Sequence, residues 1–328
     1  MIRSIENLDR RIIAFAEGSP KQGFGHLFRL KNLIKTLGKY EFICLTENPY
    51  QEKFFDENNI ENISLKLFKE NFLEIVFPCL IIDSKLDKSL IMESIRAKKK
   101  ILIDSIPSGK MEFDVVITPS FYSDKKLSYS EKKPSHLFGP GYVILDPRIR
   151  ELSPACEKES RKLVLSFGGS DPNNITLKCA KILKKAGLAD DLLIVLGPGY
   201  RHSIHSLERV VPGSQIIIDP QNIYKIFNDA YFVLTALGVT IQELKYLSKP
   251  TGIIYNYHDD KKDISKILDY FEGHPETCHY FNFGHHNKIA EGKMVNRIIE
   301  IKSNRIYRSH DDNLGNLFKE DIFFKKLK

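Results

Sequence analysis

The sequence predicts an α/β protein of two doubly wound, Rossmann-like domains, and three observations carry that prediction. Short apolar runs alternate with helical spacing through both halves of the chain, the pattern of βαβ units on a parallel sheet. Each half is headed by a glycine turn between a strand and a helix: Gly23-Phe24-Gly25-His26 near the start, Gly168-Gly169-Ser170-Asp171-Pro172 at the midpoint. The length of 328 residues suits two domains of about 150 residues each.

In the first half, strands are expected at 12–16, 41–46, 79–83, 100–104 and 114–118, all short runs rich in aliphatic residues. Helices are expected at 27–37, 50–57 and 89–97, the first closed by Gly38 as a C-cap. Residues 119–160 break the rhythm with Ser, Pro, Lys and Glu around one apolar island, 142–145. They read as the crossing between domains, with the island packed on one of them.

From Lys162 the alternation resumes. Strands are expected at 162–167, 191–196, 215–219, 231–235 and 251–255, and helices at 173–186, 222–229, 239–246, 260–271 and 287–301. The resulting division is a first domain over 1–150, a second over 151–300, and a C-terminal tail over 301–328, expected to be helical and to pack back across the domains. No low-complexity tract interrupts it.

Composition narrows the class. A 42% hydrophobic, 28% charged chain is that of an ordinary soluble protein. A formal net charge of +7 suits a small polyanionic ligand but is too mild to argue for nucleic acid. Lys98-Lys99-Lys100 and the C-terminal lysines read as solvated faces. No run approaches the roughly 18 apolar residues of a membrane helix, and the first residues lack a secretory h-region, so no integral membrane segment and a cytoplasmic location are expected. Cys44, Cys79, Cys156, Cys179 and Cys278 lie far apart, the usage of reduced thiols.

With the loops in place, a family resemblance emerges. Gly23 to Arg29 reads G-x-G-H-x-x-R, and SFGGSDPNNITLK (166–178), LGPGY (196–200) and the stretch 222–255 follow in order. The chain resembles the UDP-sugar hydrolases of pseudaminic acid biosynthesis and the spore-coat polysaccharide protein G group. Both are similar in fold to the GT-B glycosyltransferases, which include the peptidoglycan N-acetylglucosaminyl transferase. The resemblance covers about residues 11–300.

It implies two Rossmann-like domains in a GT-B arrangement with the ligand in the interdomain cleft. The implied reaction is hydrolysis of a UDP-linked amino-deoxy sugar, releasing UDP without a metal or other cofactor. His26 would be the catalytic base. Gly168, Gly169 and Ser170, with Gly238, Thr240 and Glu243, would hold the nucleotide; Gly25, Arg29, Asp83, Lys85 and His285 would face the sugar. Three departures stand out. Ser84-Lys85 follows Asp83 where the family commonly has a tyrosine. Ala236-Leu237-Gly238-Val239-Thr240 replaces A-G-G-S-T. The stretch 256–260 (NYHDD) replaces an Asn-Gln pair.

The residues support that chemistry individually. His26 at a helix start tends to stay neutral and able to take a proton from water; the alternative is a loop hydrogen bond. Arg29, one turn on, either holds a substrate acid group, orients the loop, or pairs with Glu17 or Asp83. The Gly168-Gly169-Ser170 turn admits a phosphate, and Asp171 reads as the cap of the next helix with Pro172 at its first position. Glu243 suits ribose hydroxyls. Asp83 and Asp104 both end strands, where ligands of such sheets bind, and spacing does not choose between them.

His274, Cys278, His279, His285 and His286 lack zinc-ligand spacing, so no metal is expected. His202 and His205 read as loop residues. Phe54-Phe55 and the phenylalanines from 68 to 77, with Lys53, Lys66 and Lys69, form either a surface for a glycan acceptor or core. Three functions survive: a UDP-sugar hydrolase, a GT-B glycosyltransferase in which His26 deprotonates an acceptor hydroxyl, and a binding protein without turnover. A dehydrogenase is excluded, because no G-x-G-x-x-G precedes an acidic residue roughly 20 positions on.

Overall fold

The computed structural model describes residues 8–20, 23–85, 92–105, 112–120, 135–153, 162–258, 260–272 and 280–303. Ile12–Ala16 (β1) is apolar and buried at every position, as a strand covered on both faces must be. Ile12, Ala14 and Ala16 pack with Leu27, Leu30 and Leu33 of the helix Gly25–Thr36 (α1). Ile13 and Phe15 turn to the opposite face, where they meet Ile43, Leu45 and Phe68.

Around β1 the first unit adds Phe42–Thr46 (β2), Pro49–Glu57 (α2), Asn62–Ser64 (β3), Leu65–Asn71 (α3), Phe77–Asp83 (β4), Ala97–Ile103 (β5), Val115–Thr118 (β6) and Ser135–Phe138 (β7). The strand order is β3-β2-β1-β4-β5-β6-β7, with every ladder parallel. Helix α2 opens with a capping box between Asn48 and Gln51. The Gln51 amide also donates to the Ala16 carbonyl at 2.7 Å, which fixes the exit of β1.

Two expectations change here. β5 starts at Ala97 and runs through Lys98-Lys99-Lys100, where a helix was expected to end; residues 86–91 lie outside the described residues. The ladder from Phe77↔Ala97 to Asp83↔Ile103 overrides the weak strand preference of lysine. The break at 119–160 also contains β7, the seventh strand. Its apolar island packs on the first unit: Val143, Ile144 and Leu145 are buried, and Ile144 joins the β1–α1 core.

The chain divides into two compact units between Pro147 and Arg148. The second contains Lys162–Ser166 (β8), Ile175–Lys185 (α4), Leu192–Leu196 (β9), Ile204–Val210 (α5), Gln215–Ile218 (β10), Ile223–Asn228 (α6), Ala230–Thr235 (β11), Val239–Tyr246 (α7), Thr251–Tyr255 (β12), Asp260–Glu272 (α8), Tyr280–His285 (β13), Lys288–Ile289 (β14) and Glu291–Ser303 (α9). Its order is β10-β9-β8-β11-β12-β13-β14, the topology of the first unit over again. All pairs are parallel except the closing β13–β14 hairpin. That hairpin takes up 280–289, so α9 begins at Glu291 and not at 287. Residues 304–328, most of the expected tail, lie outside the described residues.

In both sheets the order reverses beside the first strand, between β1 and β4 and between β8 and β11. Ligands of doubly wound sheets bind outside the carboxyl ends of the strands at such a switch point.

Candidate active site

Three strand ends of the first sheet stand side by side: β1, β4 and β5. The turn after β1 leads into α1, whose first turn carries Gly25 and His26, with Gly25 exposed. Asp83 is the last residue of β4. Asp104 follows β5 in a left-handed conformation at φ +62°, which an aspartate tolerates better than most residues.

Arg29, one turn after His26, joins these ends. Its Nε donates to Asp83 Oδ2 at 2.8 Å and its terminal nitrogen to Asp83 Oδ1 at 2.5 Å. The same nitrogen donates to Asp104 Oδ2 at 2.8 Å. His26 Nδ1 lies 2.7 Å from Asp83 Oδ1. Arg29 therefore pairs with both strand-end acids, while Glu17 accepts from Ser84 Oγ at 3.0 Å.

Burial drives the Asp83 carboxyl up, but the Arg29 charge and hydrogen bonds, with His26, outweigh it and hold it below the usual carboxylate range. Burial lowers Arg29, and Asp104 and Asp83 more than restore it, so the guanidinium is raised. A carboxylate only accepts, so His26 Nδ1 carries the proton in that bond. Arg29 lies 2.8 Å from Nδ1 because the two share Asp83 Oδ1. A proton taken at Nε2 converts the Nδ1–H···Oδ1 bond into a charge-assisted pair. This is the arrangement of a base held in one tautomer by a buried acid.

Asp83 has no exposed surface, and its oxygens are engaged by His26 and Arg29. In this conformation its side chain is enclosed with His26 and Arg29. Lys85 is exposed, two residues further on, and its carbonyl accepts from Ser105 Oγ at 3.4 Å.

In the second unit, the turn after β8 carries Gly168, Gly169 and Ser170, and the turn after β11 carries Gly238. Gly168 has φ +80°, which a side chain rarely permits. Gly197, after β9, comes so close that a Cβ on it would lie 2.5 Å from Gly169 Cα. Gly199 N donates to the Gly169 carbonyl at 2.7 Å. The two glycine turns thus pack backbone on backbone.

The helix end behind Gly168–Ser170 differs from the expectation. α4 starts at Ile175, not at Pro172. Asp171 does cap it: its two oxygens accept from Ile175 N at 2.8 Å and Thr176 N at 2.9 Å. That leaves no room for a phosphate on those amides. The N-terminus of α7 carries no side-chain cap. Gly238 there has extended backbone, is exposed, and a Cβ on it would meet nothing, so the fold itself does not require glycine. Thr240 is in the first turn and half-buried, and Glu243 is buried one turn later.

Asp171 makes its cap from a left-handed backbone at φ +42°, which aspartate tolerates better than alanine. Asp171→Ala is expected to cost about 1–2 kcal/mol, as a lost cap does, measured by denaturant unfolding. Asp171→Asn should keep most of it.

Sequence reasoning missed what loops bring together. His202 Nε2 donates to the Asp171 carbonyl at 2.9 Å, and Tyr200 OH lies 3.1 Å from Asn174 Oδ1. Burial and then Asp171 push the Tyr200 phenol up to about 12. His205 is in helix α5 and not in a loop. His285 ends β13 and stacks on His258, ring centroids 4.4 Å apart, with His286 at 4.2 Å. Lys178 Nζ lies 3.3 Å from His286 Nδ1. His274, Cys278 and His279 lie outside the described residues. Among the described residues no group of three or more His, Cys, Asp or Glu is placed to hold a metal ion.

Other candidates belong to the core. Phe54, Phe55, Phe68 and Phe77 are buried. Cys44, Cys79 and Cys179 are buried free thiols, each raised by burial. Cys156 and Cys278 lie outside the described residues. No described helix is long and apolar enough to cross a membrane.

Two doubly wound units, each with its ligand edge at a switch point, define the GT-B class of α/β fold, and solved structures match it along the chain. The glycotransferase of kitacinnamycin superposes with a TM-score of 0.60 at 13% identity, over 97% of both chains. MurG of Acinetobacter baumannii gives 0.56 at 10% identity, over 96% of this chain and 95% of its own. In sequence, the chain is similar to the uncharacterized protein MJ1062 of Methanocaldococcus jannaschii, 27% identical over 90% of this chain. The match spans 66% of that relative's length. It is also similar to the spore coat polysaccharide biosynthesis protein SpsG of Bacillus subtilis, 22% identical over 73% of this chain and 76% of SpsG. No protein-family model matches.

Proposed function

We propose that the chain hydrolyses a UDP-linked amino-deoxy sugar, with His26 as general base for water and UDP as leaving group. The observation that carries this reading is the buried set at the first switch point. Asp83 holds His26 through Nδ1, Arg29 fixes Asp83 with two bonds, and Nε2 is left to take a proton. The similarity to SpsG and the GT-B neighbours supports a nucleotide-sugar ligand for surface polysaccharide.

In this reading the second unit holds the nucleotide. The diphosphate lies on Gly238 and the uncapped start of α7, where free N–H groups and the helix dipole favour an anion. The Gly168–Ser170 backbone and Thr240 contribute further donors, and Glu243 accepts from ribose. Gly25 at the start of α1 leaves space beside the base, and Lys85 and His285 stand toward the sugar. No metal or cofactor enters the reaction.

The test is incubation with a panel of UDP-linked amino sugars, without acceptor, following free UDP and free sugar. Both should appear together. UDP release only after a glycan acceptor is added would move the assignment to a glycosyltransferase using the same base. Binding without release under either condition would leave a nucleotide-sugar binding protein.

The nucleotide half is tested separately by calorimetry. Gly169→Val and Glu243→Ala are each expected to weaken UDP binding about 10-fold or more, the scale of a lost hydrogen bond to a charged group. A variant that binds UDP as tightly as the parent removes that residue from the site. EDTA should change neither binding nor turnover.

A further inference from the structure

The cluster of Lys178, His258, His285 and His286 has no part in the scheme above beyond His285. Its members come from three places: α4, the loop after β12, and the end of β13 with the turn after it. Those places adjoin the glycine turn directly. Asn173, next to Asp171 and Pro172, donates to Asn256 Oδ1 at 2.9 Å, and Asn256 lies two residues before His258. The cluster therefore lies on the same carboxyl edge of the sheet as the nucleotide-binding turn.

Its chemistry is one-sided. His258 and His285 stack nearly parallel, at 7°, and Tyr255 packs edge-on against His285. The Lys178 ammonium donates to His286 Nδ1 and, at 3.2 Å, to the His286 carbonyl. Of the acids nearest in sequence, Asp260 accepts from Tyr257 N at 3.2 Å, and Asp259, beside His258, lies outside the described residues. Asp171 is the acid whose charge reaches His286, and its oxygens are spent on the α4 amides. Lys288, paired with His285 across the hairpin, adds another cation. Two ammonium groups and three imidazoles so placed offer a set of N–H donors to an anion.

We propose that Lys178, His258, His285 and His286 seat a carboxylate on the sugar of the bound nucleotide sugar, so that the ligand is an acidic sugar. This rests on the donor reading given above. Ammonium and imidazolium N–H groups hold a carboxylate by charge-assisted hydrogen bonds, and the diphosphate has its own place at Gly238. Burial, then His285, Lys178 and His258, lower His286, with Asp171 opposing. These neighbours disfavour the charged form of His286. A bound carboxylate reverses that field, so binding takes up a proton and strengthens as the pH falls from 8 to 6.

UDP-glucuronate and UDP-glucose differ only by a carboxylate in place of a hydroxymethyl group, and calorimetry with the full chain compares them. The parent should prefer UDP-glucuronate by about 10-fold at pH 6, and by less at pH 8. Lys178→Met and His258→Gln should each erase most of that preference while leaving UDP-glucose affinity unchanged. Equal affinity for the two sugars at pH 6, with UDP itself bound, overturns the carboxylate seat and leaves the donor reading standing. A chain that binds neither sugar nor UDP overturns the donor reading. In that case free glucuronate is titrated at pH 6 against the histidine ring C–H signals by NMR. Movement of three of those signals, abolished by Lys178→Met, still supports the seat, and no movement overturns it.

Discussion

His26→Ala is expected to lower turnover by about 10²–10⁴-fold, the usual worth of a general base, while UDP affinity stays within a few-fold. The ring that removes the proton does not touch the nucleotide in this scheme, so the loss should fall on kcat. His26→Gln, which preserves a hydrogen bond to Asp83 but cannot take a proton, should be nearly as inactive as the alanine variant. A variant at near-parental rate would remove His26 from the chemistry and leave the buried set with a structural role alone. Product release measured with and without acceptor applies the same test to the hydrolase and transferase readings.

Asp83→Ala is expected to be strongly destabilising. It leaves the Arg29 guanidinium enclosed with Asp104 as its remaining acid, and breaking a buried pair from one side costs about 3–5 kcal/mol. The pH dependence follows from the direction of the Asp83 shift. Its carboxyl lies below the ordinary range in the folded state, so its stabilisation is fully present above about pH 4. That stabilisation drains away as the pH falls through the lowered folded value. Urea unfolding, followed by circular dichroism because the chain has no tryptophan, should therefore show a large gap between parent and variant at pH 7. The gap should narrow on acidification below pH 4. A gap that widens in acid would mean that Arg29 is stabilised by something other than Asp83.

Much of this architecture was legible from residue patterns, and the omissions have physical causes. Wholly buried strands such as β1, β2 and β9 announce themselves as short aliphatic runs, and the glycine turns mark the two switch points. Elements missed were brief or mixed in composition. β3 is three residues long, α3 and α5 are seven each, and β13 mixes aromatic residues with Asn282, His285 and the left-handed Gly284. Such segments are held by tertiary contacts and carry little pattern of their own.

The candidate site was legible in pieces. The i,i+3 spacing of His26 and Arg29 and the strand-end positions of Asp83 and Asp104 are visible in one dimension. Their meeting is not, because it depends on β4 and β5 lying in succession beside β1. The same holds for His202 on the Asp171 carbonyl and for the stacked pair of His258, after β12, and His285, at the end of β13. Asp171 was legible as a cap. That its two oxygens exclude phosphate from the α4 end was not, since it requires both carboxylate oxygens to be located.

The four-residue set of His26, Arg29, Asp83 and Asp104 also constrains how this lineage can change. Loss of Asp83 first strands a guanidinium that cannot be neutralised by deprotonation. Loss of Arg29 first leaves two acids facing each other across adjoining strand ends. Neither intermediate is harmless, so substitutions here are epistatic: each is tolerable only on a background where another has already occurred. His26 is the exception, since its removal leaves Asp83 fully paired with Arg29 and, in the proposed reaction, costs only the proton transfer. If the proposed reaction is the one this set serves, a descendant that abandons it is expected to lose the histidine first and to keep the arginine and both aspartates long afterwards.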